Sequence, residues 1–282
     1  MKDGLHKRSQ PASCVGMDDV RRLAKRALEV LAIDKTKTPE AARTHLVSLC
    51  DAFTGPDIDQ CHDALARIQK SGISRDDIVD HVLPGAARLM GERWFADEIS
   101  FVEVTIGTAR LQEAVRSLAA QNRLHDAHTA QARTPRVLMI LPRGEDHSFG
   151  LIVATDQLRR LGYHVDIAVD QTPAQIARLV RNTRFDFVGV GVVSRRTLAL
   201  AKDIVEKIRT TVTNYTPIVI SGVQFATDKD VIAATGADHV VRDVRTALQV
   251  CGRGLGPMAA ADTGGAEAPK QKMDAAWEED DR

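Results

Sequence analysis

The chain has 282 residues, room for two domains of roughly 100–200 residues each, and its 44% hydrophobic content is that of a protein with packed cores. Lys plus Arg and Asp plus Glu each number 38, and this zero net charge excludes a broad basic face that holds nucleic acid through its phosphates. No apolar run approaches the roughly 18 residues of a membrane span, the start MKDGLHKRSQ does not read as a signal peptide, and Cys14, Cys50, Cys61 and Cys251 form no C-x-x-C pair; a reduced, cytoplasmic protein is expected.

Residues 1–16 read as a flexible tail, and residues 17–122 as a bundle of four or five helices. Val20, Leu23, Ala27, Leu28 and Leu31 recur at helical spacing, with the basic run Arg21, Arg22, Lys25, Arg26 as an exposed helix face. Ile58, Cys61, Leu65 and Ile68 make a second stripe, and Phe101, Val104, Leu111, Val115 and Leu118 a third. Thr38-Pro39, Gly55-Pro56-Asp57 and Ser74 ahead of Asp76-Asp77 mark helix starts, and Pro84-Gly85 is expected to bend the helix leading to Trp94. Residues 123–135 form a polar linker that carries His125 and His128.

The hydrophobic period then changes. Apolar runs at Val137–Leu141, Val165–Val169, Phe187–Val193, Ile218–Ile220 and Val240–Val241 alternate with helical patterns at 149–162, 173–183, 196–210 and 228–235. Strands buried on both faces and separated by helices predict, over residues 136–253, a flavodoxin-like, doubly wound sheet of five parallel strands. Residues 254–282 form an acidic tail ending in Glu278-Glu279-Asp280-Asp281.

Ligands of such sheets sit beyond the carboxyl ends of the strands. The loop after the first strand reads Arg143-Gly144-Glu145-Asp146-His147-Ser148-Phe149-Gly150. An acid two residues before a histidine can hold one ring nitrogen and leave the other to a metal, and a glycine three residues after it lets a bulky flat ligand approach the backbone. Glu145 or Asp146 can alternatively cap the following helix. No second His or Cys ligand stands nearby at metal spacing, so the expected metal is one that already carries in-plane ligands.

Glu145-x-His147-x-x-Gly150 resembles the Asp-x-His-x-x-Gly loop of cobalamin-binding domains. The resemblance implies that His147 is the lower axial cobalt ligand of a cobalamin. Ser194-Arg195-Arg196 and Ser221-Gly222 match the later Ser-x-Leu and Gly-Gly signals, which implies that Ser194, Ser221 and Gly222 line the path of the displaced nucleotide tail, beside Glu145, Asp146, Ser148 and Gly150. Gly91-Glu92-Arg93-Trp94 followed by Glu98-Ile99-Ser100 resembles the family's helical cap, which implies that Trp94 covers the upper face of the corrin; on its residue type alone, Trp94 can equally be bundle core.

This sequence departs from the pattern at three places. Glu145 replaces Asp, Arg196 replaces Leu, and Val104-Thr105 stand where adenosylcobalamin photoreceptors carry Glu-His, with Glu103 one residue early. A hydroxo or aquo cobalamin is therefore expected in preference to the adenosyl form. Arg195 and Arg196 read as a solvated helix start or as a contact for phosphate or a partner, and a mobile N-terminal tail could offer His6 as a second axial ligand.

No substrate barrel and no DNA-binding domain are expected in the chain, and direct DNA binding is not expected. A capped cobalamin domain without either resembles the AerR/PpaA-type regulators, which implies a non-enzymatic, light-responsive antirepressor acting on a PpsR/CrtJ-type repressor of photosynthesis genes. A corrinoid carrier subunit of a methyltransferase and a haem-binding redox sensor are the alternatives on the same fold.

Overall fold

The computed structural model describes residues 40–123, 134–223 and 225–251. The first predicted helical stripe, His6, the two linker histidines and the acidic tail lie outside the described residues.

The amino-terminal part is helical: α1 (Glu40–Thr54), α2 (Asp59–Lys70), α3 (Arg75–Asp77), α4 (Leu83–Phe95) and α5 (Phe101–Arg123). Leu49, Phe53, Ile68, Ile78, Leu83, Met90, Leu111 and Val115 are fully or almost fully buried and form its core. Ser74 caps α3 by accepting the Asp77 N–H at 3.0 Å, as its place before Asp76-Asp77 predicts. Between α3 and α4 the chain forms a π-helical stretch, Ile78–Val82. Pro84 has no N–H for the Asp80 carbonyl, and its ring crowds that carbonyl in a regular α-helix; the wider turn just before it relieves both problems. The irregularity expected at Pro84-Gly85 therefore lies one turn earlier.

Two stripe residues depart from expectation. Phe101 and Ile58 are both 55% exposed, whereas Leu111, Val115, Cys61 and Ile68 from the same stripes are buried. Each outlier sits at the first residue of its helix or just before it, where the helix end projects past the core.

Five parallel strands follow: β1 (Arg136–Leu141), β2 (His164–Val169), β3 (Phe187–Gly191), β4 (Ile218–Ser221) and β5 (His239–Val241). Their order, β2-β1-β3-β4-β5, is flavodoxin-like. The helices between them are α6 (Phe149–Arg160), α7 (Pro173–Asn182), α8 (Arg195–Thr211), α9 (Asp228–Thr235) and α10 (Val244–Val250). One face of the sheet carries a core of Leu138, Ile140, Val188, Val190 and Ile220 against α7, α8 and α9. The other packs Val137, Met139 and Val219 against α6 and α10.

Helix α6 belongs to both parts of the molecule. Leu151 and Leu158 face the sheet, whereas Phe149 and Val153 join the core of the bundle. The bundle is thus seated on the helix that follows the His147 loop. Among the described residues, no helix is long and apolar enough to cross a membrane.

Candidate functional site

β1 ends at Leu141, and the next six residues form a largely exposed loop before Ser148, the N-cap of α6. Within this loop the Glu145 carboxylate turns inward, its side chain 3% exposed, while the His147 side chain is 49% exposed. Nδ1 of His147 lies 2.7 Å from Oε1 of Glu145, and the backbone N–H of His147 donates to the same oxygen at 3.1 Å. A carboxylate opposite Nδ1 selects the tautomer with its proton on that nitrogen, leaving the Nε2 lone pair free at the open end of the sheet. Glu145 does this despite its extra methylene relative to Asp.

The charges of the pair follow from this geometry. Burial acts to push the Glu145 carboxyl up, but hydrogen bonds from the ring and backbone of His147 and from Thr197 outweigh it and hold the group below its ordinary range. The hydrogen bond to Glu145 raises His147 above the ordinary histidine value against the effect of burial, and the charges of Glu145 and Asp146 add to the rise.

Glu145 and Asp146 are not helix caps. Ser148 occupies the N-cap position, no side chain makes a capping hydrogen bond there, and the Glu145 carboxylate is taken up by His147. Asp146 is exposed and accepts the Ser148 N–H through its carbonyl at 3.0 Å. The Ser148 hydroxyl accepts from Gln112 Nε2 of α5 at 3.1 Å, which ties the loop to the bundle. At Gly150 an added Cβ meets nothing within 4 Å, so the first turn of α6 faces open space.

Ser194 caps α8. Its hydroxyl accepts the Thr197 N–H at 3.1 Å, and its own N–H donates to the Thr197 hydroxyl at 3.1 Å, forming a capping box. Thr197 is buried in the first turn of α8 and helps hold the Glu145 carboxyl low, which couples that turn to the loop after β1. The spacing Ser-x-x-Thr at a helix start is the signal that could have singled out Thr197; Gln112 gives no such signal.

Ser221 ends β4, where its carbonyl accepts the Val192 N–H at 2.8 Å. Gly222 follows at φ +88°, and a Cβ there would stand 2.9 Å from the Val192 carbonyl oxygen, so only glycine fits without backbone movement.

Trp94 is half-buried at the end of α4, its ring centroid 6.0 Å from that of Phe101 at an interplanar angle of 56°. It is not part of the buried core; with the exposed Phe95 and Phe101 it forms an apolar surface where α4 meets α5. Glu103 is engaged locally: it accepts the Ser100 N–H at 2.6 Å in a capping box.

Among the described residues, no group of three or more His, Cys, Asp or Glu side chains could hold a bare metal ion. The site instead offers one free imidazole nitrogen, held by an ionised acid, beside a glycine that leaves room. That donor set fits a metal already equatorially ligated by a flat macrocycle.

Fold and loop together define a class: a doubly wound ligand-binding domain with a single presented histidine and a helical bundle seated on the following helix. Residues 135–251 match the family model of the B12 binding domain. Over 169 residues the chain is 31% identical to a 20.5 kDa protein in the bchF–crtJ intergenic region of Rhodobacter capsulatus, covering 60% of this chain and 87% of that one. It is 28% identical over 144 residues to the HTH-type transcriptional repressor CarH of Myxococcus xanthus, a match spanning 51% of this chain and only 46% of the repressor. Among solved structures, the Methanosarcina barkeri monomethylamine corrinoid protein shares the fold with a TM-score of 0.60 at 15% identity, over 74% of this chain and 99% of that one. Residues 135–251 of the chain belong to the B12-binding domain family.

Proposed function

We propose that this protein is a cobalamin-dependent regulator, not an enzyme, and that it acts as an antirepressor by binding a transcriptional repressor of the PpsR/CrtJ type. The observation that carries the cofactor reading is the Glu145–His147 pair, which presents Nε2 of His147 outward at the carboxyl end of β1. In this reading His147 holds cobalt from below and Glu145 fixes the ring. Gly150 leaves space for the corrin, Asp146 and Ser148 flank it, Ser194, Ser221 and Gly222 border the nucleotide tail, and Trp94 covers the upper face. Cobalamin held there would supply a cobalt centre that can exchange a ligand, expected to be hydroxide or water.

The regulatory reading draws support from the relatives. One is encoded between bchF and crtJ, and the other is a transcriptional repressor. Regulation requires that loaded and unloaded protein bind the repressor with different affinity. The bundle has a physical route to such a difference, because Phe149, Val153 and Ser148, all next to the His147 loop, contact it directly.

Absorption spectra of purified protein after incubation with hydroxocobalamin or haemin, in darkness and in light, test the proposal alongside His147→Ala. The expected result is a stably retained corrinoid with histidine as lower ligand, lost in the variant, and repressor binding that changes with loading or light. Equal repressor affinity in every state, with cobalamin retained and cobalt cycling on reduction, replaces the regulator by a corrinoid carrier. A Soret band with no retained corrinoid replaces cobalamin by haem.

A further inference from the structure

The chain leaves β1 toward one edge of the sheet and β3 toward the other, so a crevice opens between the loops that follow these two strands. Arg196 spans it. The residue lies in the first turn of α8, after β3, yet its guanidinium rests against Gly144 in the loop after β1. Its Nη2 and Cζ stand 2.9 and 3.3 Å from the place a Cβ on residue 144 would take. Gly144 has φ +71°, so a side chain there would be strained, and the guanidinium would have to move aside for it.

Three neighbouring arginines at this end of the sheet are engaged. Arg143 pairs with Asp170 at 3.1 Å, Arg242 pairs with Asp228 at 3.4 Å, and Arg195 lies over the Phe225 ring, 5.9 Å from its centroid. The Glu145 carboxylate is held by His147, and Asp146 makes no ion pair with Arg196. Arg196 is exposed and has no carboxylate partner among the described residues. It is an uncompensated cation across the crevice, resting on Gly144, the residue just before the acid that holds the histidine.

The geometry points to Arg196 as the residue that receives an anionic group of the ligand, namely the phosphodiester of the nucleotide tail. This assignment rests on the cobalamin reading of the His147 loop. A guanidinium presents paired N–H donors that match two phosphate oxygens, a lysine offers only a point charge, and the leucine of the related motif offers neither. This chain is therefore expected to select corrinoids that carry the phosphate over those that lack it.

The test compares hydroxocobalamin with aquacobinamide, which lacks the nucleotide and its phosphate linkage to the base, on the full-length wild type, Arg196→Lys and Arg196→Leu. Dissociation constants are measured at low and high salt. Arg196→Leu is expected to bind hydroxocobalamin roughly fivefold more weakly at low salt, as one exposed charge contact allows, with Arg196→Lys in between. The wild-type advantage shrinks at high salt. Aquacobinamide binding stays unchanged in all three proteins, and their thermal midpoints coincide. A loss shared equally by both corrinoids, or no loss for either, overturns the assignment and leaves the His147 reading standing. A wild type that retains neither corrinoid overturns both.

Discussion

Two hydrogen bonds join His147 to Glu145, and each residue shifts the proton affinity of the other. His147 is raised above its ordinary value of 6.5, so its contribution to stability is complete below that pH and is lost as pH rises through the folded-state value. Glu145 is lowered from 4.5, so its contribution is present above that pH and is lost as pH falls through the folded-state value. The pair is therefore worth most between these two ordinary values. The urea midpoint of the apoprotein should exceed that of His147→Ala by the largest margin in this window and by less on either side. A margin constant from about pH 4 to pH 9 would mean that ring packing, not charge, accounts for it. Gly222 and Gly150 make a second contrast. Gly222→Ala forces a left-handed φ on a side chain aimed at the Val192 carbonyl and should cost roughly 1–3 kcal/mol in denaturant unfolding. Gly150→Ala meets open space in a helix and should leave the apoprotein as stable or more so, while weakening hydroxocobalamin retention.

Helices and strands differ in how plainly the sequence announces them. The central strands β1, β3 and β4 are continuous apolar runs because they are buried on both faces. The edge strand β2 buries only Val165 and Ala168 and leaves Ile167 and Val169 exposed, against the expectation of burial on both faces. The alternation with helices makes all five parallel. The bundle stripes are less faithful. Phe101 has the same apolar character and spacing as Leu111 but stands beside Trp94 on the surface, and periodicity cannot separate a core residue from one exposed at a helix end. At the site, the Glu145–His147 spacing was readable because both residues lie in one loop. The influence of Thr197 was not, because it couples residues more than fifty positions apart in the chain. Ser194 sits at the junction of these levels, since its hydroxyl caps α8 through Thr197. Ser194→Ala should lower the unfolding free energy by about 1 kcal/mol, and Ser194→Asp should restore most of it. A Ser194→Ala variant of unchanged stability would show that Thr197 alone holds the helix start.

The two parts of the molecule are joined at the far end of α6 by an ionic cluster. Arg160, 17% exposed, is bonded to Asp156 of its own helix at 2.9 Å, to Asp76 of α3 at 3.2 Å, and to Asp80 on the π-helical stretch, which also accepts from Gln157 at 3.0 Å. Nothing in the local sequence marks it: charges in the last turn of a helix usually read as solvated, and the partners come from a segment some eighty residues earlier. Three carboxylates share one guanidinium, and Asp156 is only 8% exposed, so burial already pushes its carboxyl up, against the opposing pull of Arg160. Arg160→Met removes that pull and leaves the Asp156 charge buried beside two other acids. The cost should be about 3–5 kcal/mol at neutral pH, the range for breaking a buried pair from one side. The sign of the pH dependence follows from linkage. A carboxyl whose folded-state value is raised destabilises the fold fully above that value, and the penalty disappears as pH falls below its ordinary 3.8. The gap between wild type and Arg160→Met in urea unfolding should therefore narrow on acidification. Asp156→Asn on the Arg160→Met background should recover stability at neutral pH and little at low pH. If the gap stays constant with pH and the second substitution recovers nothing, the cluster joins bundle to sheet by packing alone, and Phe149 and Val153 carry the junction.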